Sequence, residues 1–345
     1  MSVTELRNDI HKLDTGYGLM SLTWRAEPIP QSQAFEAMYR AVELSRERGH
    51  KAFFNVGEFY GPDFVNLIFV RDFFAKYPDL RKHVVISCKG GMDVATLAPK
   101  GSHDAVLQSV KNSVSAIGGY IDIFEVARLD TSLCSKGEIY PYESFEALAE
   151  MISEGVIGGI SLSEVTEEQI RAIYKDWGKF LTCVELEVSL FSTDIFRNGI
   201  AKTCAELGLT VICYSPLGRG LLTGQLKSNA DIPEGDFRKT LKRFSDESLK
   251  KNLALVRFLQ EEIIGKRSKD NSITLPQLAL GWIKHWNFAP EYKGAKFIPI
   301  PSGSSISKVN ENFDEKKTQL TDKEFKAIND FLATFHTVGD RYEMN

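Results

Sequence analysis

The sequence predicts an α/β fold, namely a single (β/α)₈ TIM barrel with a long loop after strand 7 and a C-terminal helix. Short apolar runs alternate with amphipathic helical stretches along the 345 residues, and eight such pairs can be counted. The runs are nearly continuous in apolar residues, as strands buried on both faces of a parallel sheet require. Eight β-α units suit a closed barrel, and a doubly wound open sheet is the competing arrangement. No linker divides the chain, so we expect one domain over residues 1–345.

The elements follow from the apolar pattern in chain order. Strands are predicted over residues 17–22, 52–56, 84–88, 121–126, 156–160, 184–188, 210–214 and 297–300. Helices are predicted over residues 32–48, 62–77, 102–117, 142–154, 166–177, 193–207, 246–266, 275–284, 306–313 and 321–335. Ser32 is predicted as an N-cap, and Thr166 with Gln169 as a capping box. A polar loop is expected over residues 215–245.

Composition and charge restrict the class of partner. The chain is 43% hydrophobic and has a formal net charge of −4, with scattered basic residues. This balance argues against nucleic acid or an anionic membrane as the main partner. Isolated cysteines, no apolar leader and no 18-residue apolar run predict a reduced cytoplasmic protein, with the nucleus as a second location. The six histidines form no ligand cluster, so we expect no metal. We expect a monomer that binds a small-molecule aldehyde.

Tyr60 and Lys89 are the strongest candidates for catalytic residues. Each follows a short apolar run, about thirty residues apart, which is one β-α step of a parallel sheet. A lysine beside a tyrosine lowers the pKa of the phenol, because the ammonium stabilises the phenolate. Such a phenol can give a proton to a carbonyl oxygen while a hydride reaches the carbon. The pair therefore indicates carbonyl reduction.

Two loops at the ends of the last strands are candidates for binding a phosphorylated cofactor. Residues 214–224 read YSPLGRGLLTG, with glycines and an arginine that can surround a pyrophosphate. Their spacing differs from the dinucleotide fingerprint of the doubly wound fold. Residues 298–305 read IPIPSGSS and lead into a helix with Lys308. Loops after strands 7 and 8 of this barrel often form a phosphate site, and hydroxyl groups with a lysine suit a 2′-phosphate.

Six short strings together carry a resemblance to a known family. They are EFYG (58–61), ISCK (86–89), YIDIF (120–124), LSEV (162–165), YSPLGRG (214–220) and IPIP (298–301). In this order they resemble the aldo-keto reductases along nearly the whole chain. The resemblance implies reduction of aldehydes and ketones with NADPH, more rarely NADH. It also implies Tyr60 as proton donor, Lys89 as the residue that tunes it, and Asn55 beside them.

The same resemblance implies a cofactor site. Ser163 would bond the nicotinamide carboxamide, and Tyr214 would stack on the nicotinamide ring. The full set of implied cofactor-binding residues is Ser163, Glu185, Tyr214, Ser215, Pro216, Leu217, Gly218, Arg219, Gly220, Gly303, Ser304, Lys308, Glu311 and Asn312. Residues 215–224 would hold the pyrophosphate, and the residues from 303 onward the adenosine half.

The sequence departs from the family at several of these positions. Asn55 stands where the family has an aspartate that supports the lysine, and Ala127 where it has a histidine that orients the carbonyl. Glu164 replaces a usual asparagine, and Glu185 a usual glutamine. Asn55 can still hydrogen-bond the lysine but cannot neutralise it.

These departures resemble one group within the family, the fungal pyridoxal reductases. The matching strings are TWR at 23–25, NVGEFYG at 55–61, and Ala127 with Arg128. The resemblance implies reduction of pyridoxal to pyridoxine, in vitamin B6 metabolism, with Trp24 and Arg128 near the substrate. The phenol of pyridoxal lies ortho to its aldehyde and can hydrogen-bond the carbonyl, which replaces part of the histidine's task. Arg128 would pair with the phenolate.

Two other functions stay open at this point. One is a general aldehyde and ketone reductase. The other is a non-catalytic nucleotide-binding barrel, favoured by Asn55 and Ala127 and disfavoured by the intact Tyr60 and Lys89.

Overall fold

Eight parallel strands form one sheet in the order β1 to β8, in a computed structural model that describes residues 1–342. The strands are β1 Tyr17–Gly18, β2 Ala52–Gly57, β3 Val84–Gly90, β4 Ile123–Val126, β5 Ile160–Ser163, β6 Leu181–Glu187, β7 Thr210–Tyr214 and β8 Lys296–Pro299. Backbone hydrogen bonds from Gly16 N to Pro299 O (3.0 Å) and from Gly18 N to Pro301 O (3.2 Å) join the two edges. The predicted (β/α)₈ barrel is therefore confirmed, and the open sheet is wrong.

Helices surround the sheet. They are α1 Val3–His11, α2 Met20–Thr23, α3 Gln31–Glu47, α4 Val65–Lys76, α5 His103–Ile117, α6 Tyr142–Ser153, α7 Glu167–Trp177, α8 Ile200–Leu207, α9 Asp246–Phe258, α10 Leu275–His285, α11 Ile306–Asn312 and α12 Asp322–Leu332. Within residues 1–342, no helix is long and apolar enough to cross a membrane. The single domain predicted over 1–345 stays a prediction, and its last three residues lie outside the described ones.

Several predicted boundaries are wrong for local reasons. The first strand ends at Gly18, because Leu19 takes helical backbone angles as the N-cap of α2. Pro30, not Ser32, is the N-cap of α3, since the proline already holds a fixed φ one residue before the first turn. The eighth helix begins at Ile200, after Gly199 in the left-handed region. The capping box of Thr166 and Gln169 is confirmed.

Helix α1 was not predicted, and it closes one end of the barrel. Its first turn is fixed by a capping box, in which Glu5 N–H donates to Ser2 Oγ (3.2 Å) and Ser2 N–H donates to Glu5 Oε2 (2.7 Å). Leu6 and Ile10 are fully buried in a cluster with side chains from the barrel strands. The strand residues of that cluster include Phe53, Val85, Ile123, Cys183, Ile212 and Ile298. Most of these stand at or near the amino ends of their strands, so α1 covers the amino end of the barrel.

The segment after α12 crosses the opposite end. Val338 exchanges hydrogen bonds of 2.9 Å with the Asn252 side chain. Gly339 O accepts from Arg243 Nε at 3.1 Å, and Arg341 O accepts from Arg219 Nη1 at 2.6 Å. These contacts bring Tyr342 to the carboxyl ends of the strands, where the chemistry of this fold is located.

Candidate active site

Lys89 lies at the centre of a buried charged cluster. It stands near the carboxyl end of β3, in register with Gly57 of β2 and Glu125 of β4. Its Nζ is 2.6 Å from Glu185 Oε1 and 3.6 Å from Glu125 Oε1, and both carboxylates have no exposed surface. Strands β3, β4 and β6 thus supply one ammonium and two carboxyl groups to a single buried space.

Asn55 links this cluster to the predicted proton donor. The Tyr60 hydroxyl lies 3.5 Å from Asn55 Oδ1 and donates to it, and Asn55 Nδ2 donates to Glu185 Oε2 at 2.7 Å. Tyr60, Asn55, Glu185 and Lys89 therefore form a continuous chain of polar contacts. The structure brings the predicted catalytic residues together.

The predicted lowering of the Tyr60 pKa is wrong for the protein as it stands. Burial raises the pKa of Tyr60, and Lys89 offsets only part of this, while Glu185 and Glu125 raise it further. The pair pattern in the sequence reveals the lysine but not the desolvation of the phenol, nor the two carboxylates beside it. The Tyr60 phenol therefore holds its proton more firmly than a free tyrosine does.

Aromatic side chains surround the Tyr60 ring. Trp24 packs against Tyr60 with ring centroids 5.7 Å apart, and against Phe59 and Phe237 at 5.9 Å. Gly57 allows this packing, since a Cβ there would lie 2.8 Å from the Tyr60 ring. Trp24, predicted near the substrate, therefore lies beside Tyr60, the predicted proton donor.

Tyr214 and the C-terminal segment form a second cluster across the barrel mouth. The Tyr214 ring centroid is 4.5 Å from Lys89 Nζ, and its hydroxyl is 2.9 Å from that of Tyr342. The Tyr342 ring lies between two guanidinium groups, with its centroid 4.3 Å from Arg128 and 4.4 Å from Arg219. Arg128, predicted to face the substrate, points into the same region.

The guanidinium of Arg219 already hydrogen-bonds to groups of the protein. Its Nη2 donates to Glu187 Oε2 at 2.8 Å, and Glu187 is also 3.7 Å from Arg243. Arg341 pairs with Glu164 at 3.0 Å. The predicted pyrophosphate role of Arg219 thus requires an exchange of partners, because its guanidinium already contacts a carboxylate and the Arg341 carbonyl.

The backbone at this end of the barrel adopts several unfavourable conformations. Glu164, Ser215 and Arg219 have φ values of 53°, 49° and 54°, in the region that side chains with a Cβ rarely adopt. Gly218 (59°) lies in the same region, and Gly220 (101°) has a φ that glycine adopts far more readily than other residues. Strained residues of this kind cluster at binding and catalytic sites, and these follow β5 and β7.

A cavity of about 460 Å³ lies between the loops that follow β7 and β8. Leu217, Ser302, Lys308, Glu311 and Asn312 line it, together with residues of α10 and the preceding loop. Lys308 Nζ is 3.3 Å from Ser304 Oγ and exposed, so its charge is accessible beside a hydroxyl group. This cation and these polar groups fit the adenosine half of a phosphorylated dinucleotide.

The remaining predicted cofactor residues do not all line that cavity. Ser163 ends β5, is 2% exposed and is in register with Glu185. Gly303 O accepts from the Tyr17 hydroxyl, and Ser304 O accepts from Gln33 Nε2 at 2.5 Å. Glu185, predicted to contact the cofactor, has its carboxylate engaged by Lys89 and Asn55. The cofactor roles of these residues stay predictions.

Sequence reasoning missed Glu125 and the segment that follows α12. Glu125 had one signal, since it is a charged residue inside an apolar strand next to that of Lys89. Tyr342 and Arg341 had none, because their position depends on how the chain returns after α12. Within the described part of the chain, no group of three or more acidic, histidine or cysteine residues could hold a metal.

A parallel barrel with a buried tyrosine, lysine and carboxylate at the carboxyl ends of its strands has the layout of a carbonyl-reducing enzyme. The model of the aldo/keto reductase family matches residues 14–333. The chain belongs to this family of oxidoreductases, whose members act on small carbonyl compounds.

Two fungal proteins are similar over nearly the whole chain. A Saccharomyces cerevisiae protein named "Putative pyridoxal reductase" is 86% identical over 344 residues, covering 100% of both chains. A Schizosaccharomyces pombe protein named "Probable pyridoxal reductase 2" is 32% identical over 339 residues, covering 95% of this chain and 93% of its own. The resemblance proposed from the sequence strings is confirmed.

Solved structures share the fold at low identity. An aldo-keto reductase of Bacillus halodurans, in its holo form, has a TM-score of 0.65 at 21% identity, covering 96% of this chain and 94% of its own. A glycerol dehydrogenase of Gluconobacter oxydans has a TM-score of 0.73 at 20% identity, with 96% and 95% covered.

Proposed function

We propose that this protein is an NADPH-dependent carbonyl reductase that reduces pyridoxal to pyridoxine. The observation that carries the proposal is the chain of contacts from Tyr60 through Asn55 and Glu185 to Lys89, beside the aromatic group of Trp24. This series of contacts puts the protonated phenol of Tyr60 beside the apolar ring of Trp24, a surface that suits a flat heteroaromatic aldehyde. The names of the two fungal relatives support the same substrate.

The residues of this chain account for the proton in the reaction. The bound cofactor supplies the hydride that reaches the carbonyl carbon. Tyr60 donates its proton to the carbonyl oxygen as that oxygen becomes negative, which is the role of a general acid. Its raised pKa keeps the proton in place before reaction. The ammonium of Lys89 stabilises the phenolate left behind.

Lys308 and its neighbours favour NADPH over NADH. The cavity lined by Lys308, Glu311 and Asn312 lies on the side of the barrel where the loops after β7 and β8 meet. An exposed ammonium 3.3 Å from a serine hydroxyl can receive a 2′-phosphate through charge-assisted hydrogen bonds. Tyr214 would face the nicotinamide ring, with the Tyr342 side chain moving aside.

The substrate's own phenol replaces the hydrogen bond that Ala127 cannot make. Ala127 is 6% exposed and has no polar side-chain atom. Pyridoxal has a hydroxyl ortho to its aldehyde, so this hydroxyl can donate an intramolecular hydrogen bond to the carbonyl oxygen. Arg128, whose guanidinium lies near the Tyr342 ring, would pair with the phenolate form of this hydroxyl, which no longer has a proton to donate.

A substrate panel with purified protein tests the proposal directly. NADPH oxidation is followed with pyridoxal, with simple aromatic aldehydes and with small ketones at matched concentrations. We expect pyridoxal to give the highest kcat/KM. Similar rates for all aldehydes would replace the proposal by a general aldehyde reductase. NADPH binding without oxidation by any substrate would indicate a non-catalytic nucleotide-binding barrel, the function that Asn55 and Ala127 favour.

A single deletion in the substrate tests the role given to its phenol. The 3-deoxy analogue of pyridoxal lacks the hydroxyl ortho to the aldehyde and is otherwise matched. An unsatisfied buried polar group costs about 1–3 kcal/mol, so kcat/KM is expected to fall about five- to a hundredfold. Ala127→His should narrow the gap by helping the analogue more than pyridoxal. Equal rates for the two aldehydes in the parent enzyme would contradict this role and leave carbonyl reduction intact.

A further inference from the structure

Two carboxyl groups lie beside the Lys89 ammonium, although one carboxylate is enough to balance its charge. Glu125 and Glu185 both approach its ammonium, at 3.6 and 2.6 Å, and neither has any exposed surface. If both were ionised, the cluster would bury a net negative charge next to the Tyr60 phenol. Burying an uncompensated charge is strongly unfavourable in a protein interior, so one of the two carboxyl groups should be neutral.

The contacts distinguish the two carboxyl groups. Glu185 receives the short contact of Lys89 on Oε1 and the Asn55 amide on Oε2 at 2.7 Å. Within residues 1–342, neither oxygen of Glu125 has a hydrogen-bond partner in good geometry. Glu185 Oε1 also lacks one, so its short contact with Lys89 is an ion pair, and the Asn55 amide is the hydrogen-bond donor that distinguishes Glu185 from Glu125. A carboxylate that receives donors is stabilised in its charged form, whereas a buried one without donors favours its proton.

The pKa directions agree with the geometry. Burial raises the pKa of Glu125, and the neighbouring Glu185 raises it further, against the opposing effects of Lys89 and the nearby Ser161 hydroxyl. For Lys89, burial opposes the charge, but Glu185, Tyr60 and Glu125 outweigh it and the pKa of the ammonium is raised.

We propose that Glu185 is the counter-ion that keeps Lys89 charged and positioned, and that Glu125 is a neutral carboxylic acid holding one proton beside it. Glu185 is then a positioning residue, because it acts on Tyr60 through Lys89 and Asn55. The kinetic part of this inference rests on the proposed carbonyl reduction. The assignment of the charges does not.

Two isosteric variants separate the carboxyl groups. Glu185→Gln removes the counter-ion, and we expect kcat for pyridoxal to fall at least about tenfold, within the range for a misplaced general acid. Glu125→Gln replaces a neutral acid by a neutral amide, so we expect a clearly smaller loss, about threefold at most on the same scale. NADPH binding is measured in both. The reverse order of the two losses would overturn the proposal.

A reciprocal exchange distinguishes charge from packing. In the double variant Asn55→Asp with Glu185→Gln, the carboxylate and the amide trade places across the 2.7 Å hydrogen bond. Total charge, the hydrogen bond and the number of heavy atoms are all conserved. We expect kcat to return to within about threefold of the parent, which corresponds to less than 1 kcal/mol. A double variant as slow as Glu185→Gln would show that a carboxylate at position 55 cannot serve as the counter-ion of Lys89, and would overturn the charge-balancing role given to Glu185.

Infrared spectroscopy tests Glu125 without any activity. The parent should have a carbonyl band of a protonated carboxylic acid at neutral pH that is missing from Glu125→Gln. It should also weaken in Glu185→Gln, where Glu125 must ionise to balance Lys89, and return in the reciprocal exchange. No difference between parent and Glu125→Gln would show that Glu125 is ionised and overturn its assignment.

Failure of this inference can be told apart from failure of the proposed function. If the parent reduces no aldehyde, the function is wrong and the infrared result alone decides the charges. If the parent reduces pyridoxal and Glu185→Gln is equally fast, the positioning role is wrong and carbonyl reduction stands.

Discussion

The two ends of the barrel are closed by the two terminal segments of the chain, and their chemistry is opposite. At the amino end, Leu6 and Ile10 of α1 pack against apolar strand residues and have no exposed surface. At the carboxyl end, Arg219 and Tyr342 meet in a network of guanidinium, carboxylate and aromatic groups. The first arrangement buries apolar surface and stabilises the fold, whereas the second joins charged and aromatic groups at the barrel mouth.

The strands themselves have the same asymmetry. In strand β3, the second residue, Val85, lies in the apolar cluster, and Lys89, next to the last, lies in the charged one. Strand β4 begins with Ile123 and reaches Glu125 two residues later. Because side chains alternate along a strand, residues two or four apart face the same barrel interior. Along the inward face of one strand, apolar residues that stabilise the fold are therefore followed, within a few residues, by the charged residues of the candidate active site.

Removal of the Tyr60 hydroxyl should have the largest effect at the carboxyl end. Tyr60→Phe should lower kcat at least about 10²-fold, the scale for loss of a general acid. NADPH affinity and the free energy of unfolding should hardly change, because the ring and its contact with Trp24 remain. The measurement is NADPH oxidation at saturating pyridoxal. Near-normal turnover would make Tyr60 a structural residue.

Shortening a buried side chain at the amino end of the barrel should lower stability and leave activity unchanged. Leu6→Ala removes a fully buried side chain, and the free energy of unfolding should fall by about 2–5 kcal/mol. The kcat at a temperature where the variant is folded should stay near that of the parent. Asn8→Ala, on the exposed side of α1, is the matched control and should change stability little. A loss of activity without a loss of stability would contradict the division between the ends.

Substitution of Lys308 tests whether the cavity after β7 and β8, at the carboxyl end of the barrel, binds the cofactor. Lys308→Ala should weaken NADPH by about 1.5–3 kcal/mol, the usual contribution of a hydrogen bond to a charged group, and NADH much less. Fluorescence titration with both nucleotides gives the two affinities. Lys316→Ala, an exposed lysine after α11, serves as control. Equal weakening of both nucleotides would show that Lys308 does not contact the 2′-phosphate.

The same comparison explains what the sequence could reveal. The strand order and the placement of Tyr60 and Lys89 follow from local patterns, since apolar runs end where the barrel mouth begins. Helix α1 carried a visible signal, the Ser2 and Glu5 capping box, but it precedes the first strand and so lies outside the β-α count. The contacts of Tyr342 depend on the path of the chain after α12, which no local pattern contains.

The error about the Tyr60 pKa has a similar origin. A neighbouring lysine can be inferred from strand spacing, but the degree of burial and the number of carboxylates at the site are properties of the folded barrel. Glu125 and Glu185 come from β4 and β6, far apart in the chain, and both oppose the effect of Lys89 on Tyr60. Burial of the phenol decided the direction of the pKa shift, and the two carboxylates from distant strands added to it.

The smallest expected effect concerns the capping box of α1. Ser2→Ala removes the hydroxyl that accepts from Glu5 N–H at 3.2 Å, so one amide of the first turn loses its partner. Loss of such a cap costs about 0.5–2 kcal/mol of stability, less than loss of Leu6, because the apolar face of α1 stays buried. Denaturant unfolding should show this decrease, while kcat and both cofactor affinities should match the parent. Ser2→Asp provides the control, since an aspartate caps a helix equally well and should keep the stability. If Ser2→Ala lowered kcat and left unfolding unchanged, the amino end would be coupled to the chemistry after all, and the two ends could not be treated as separate.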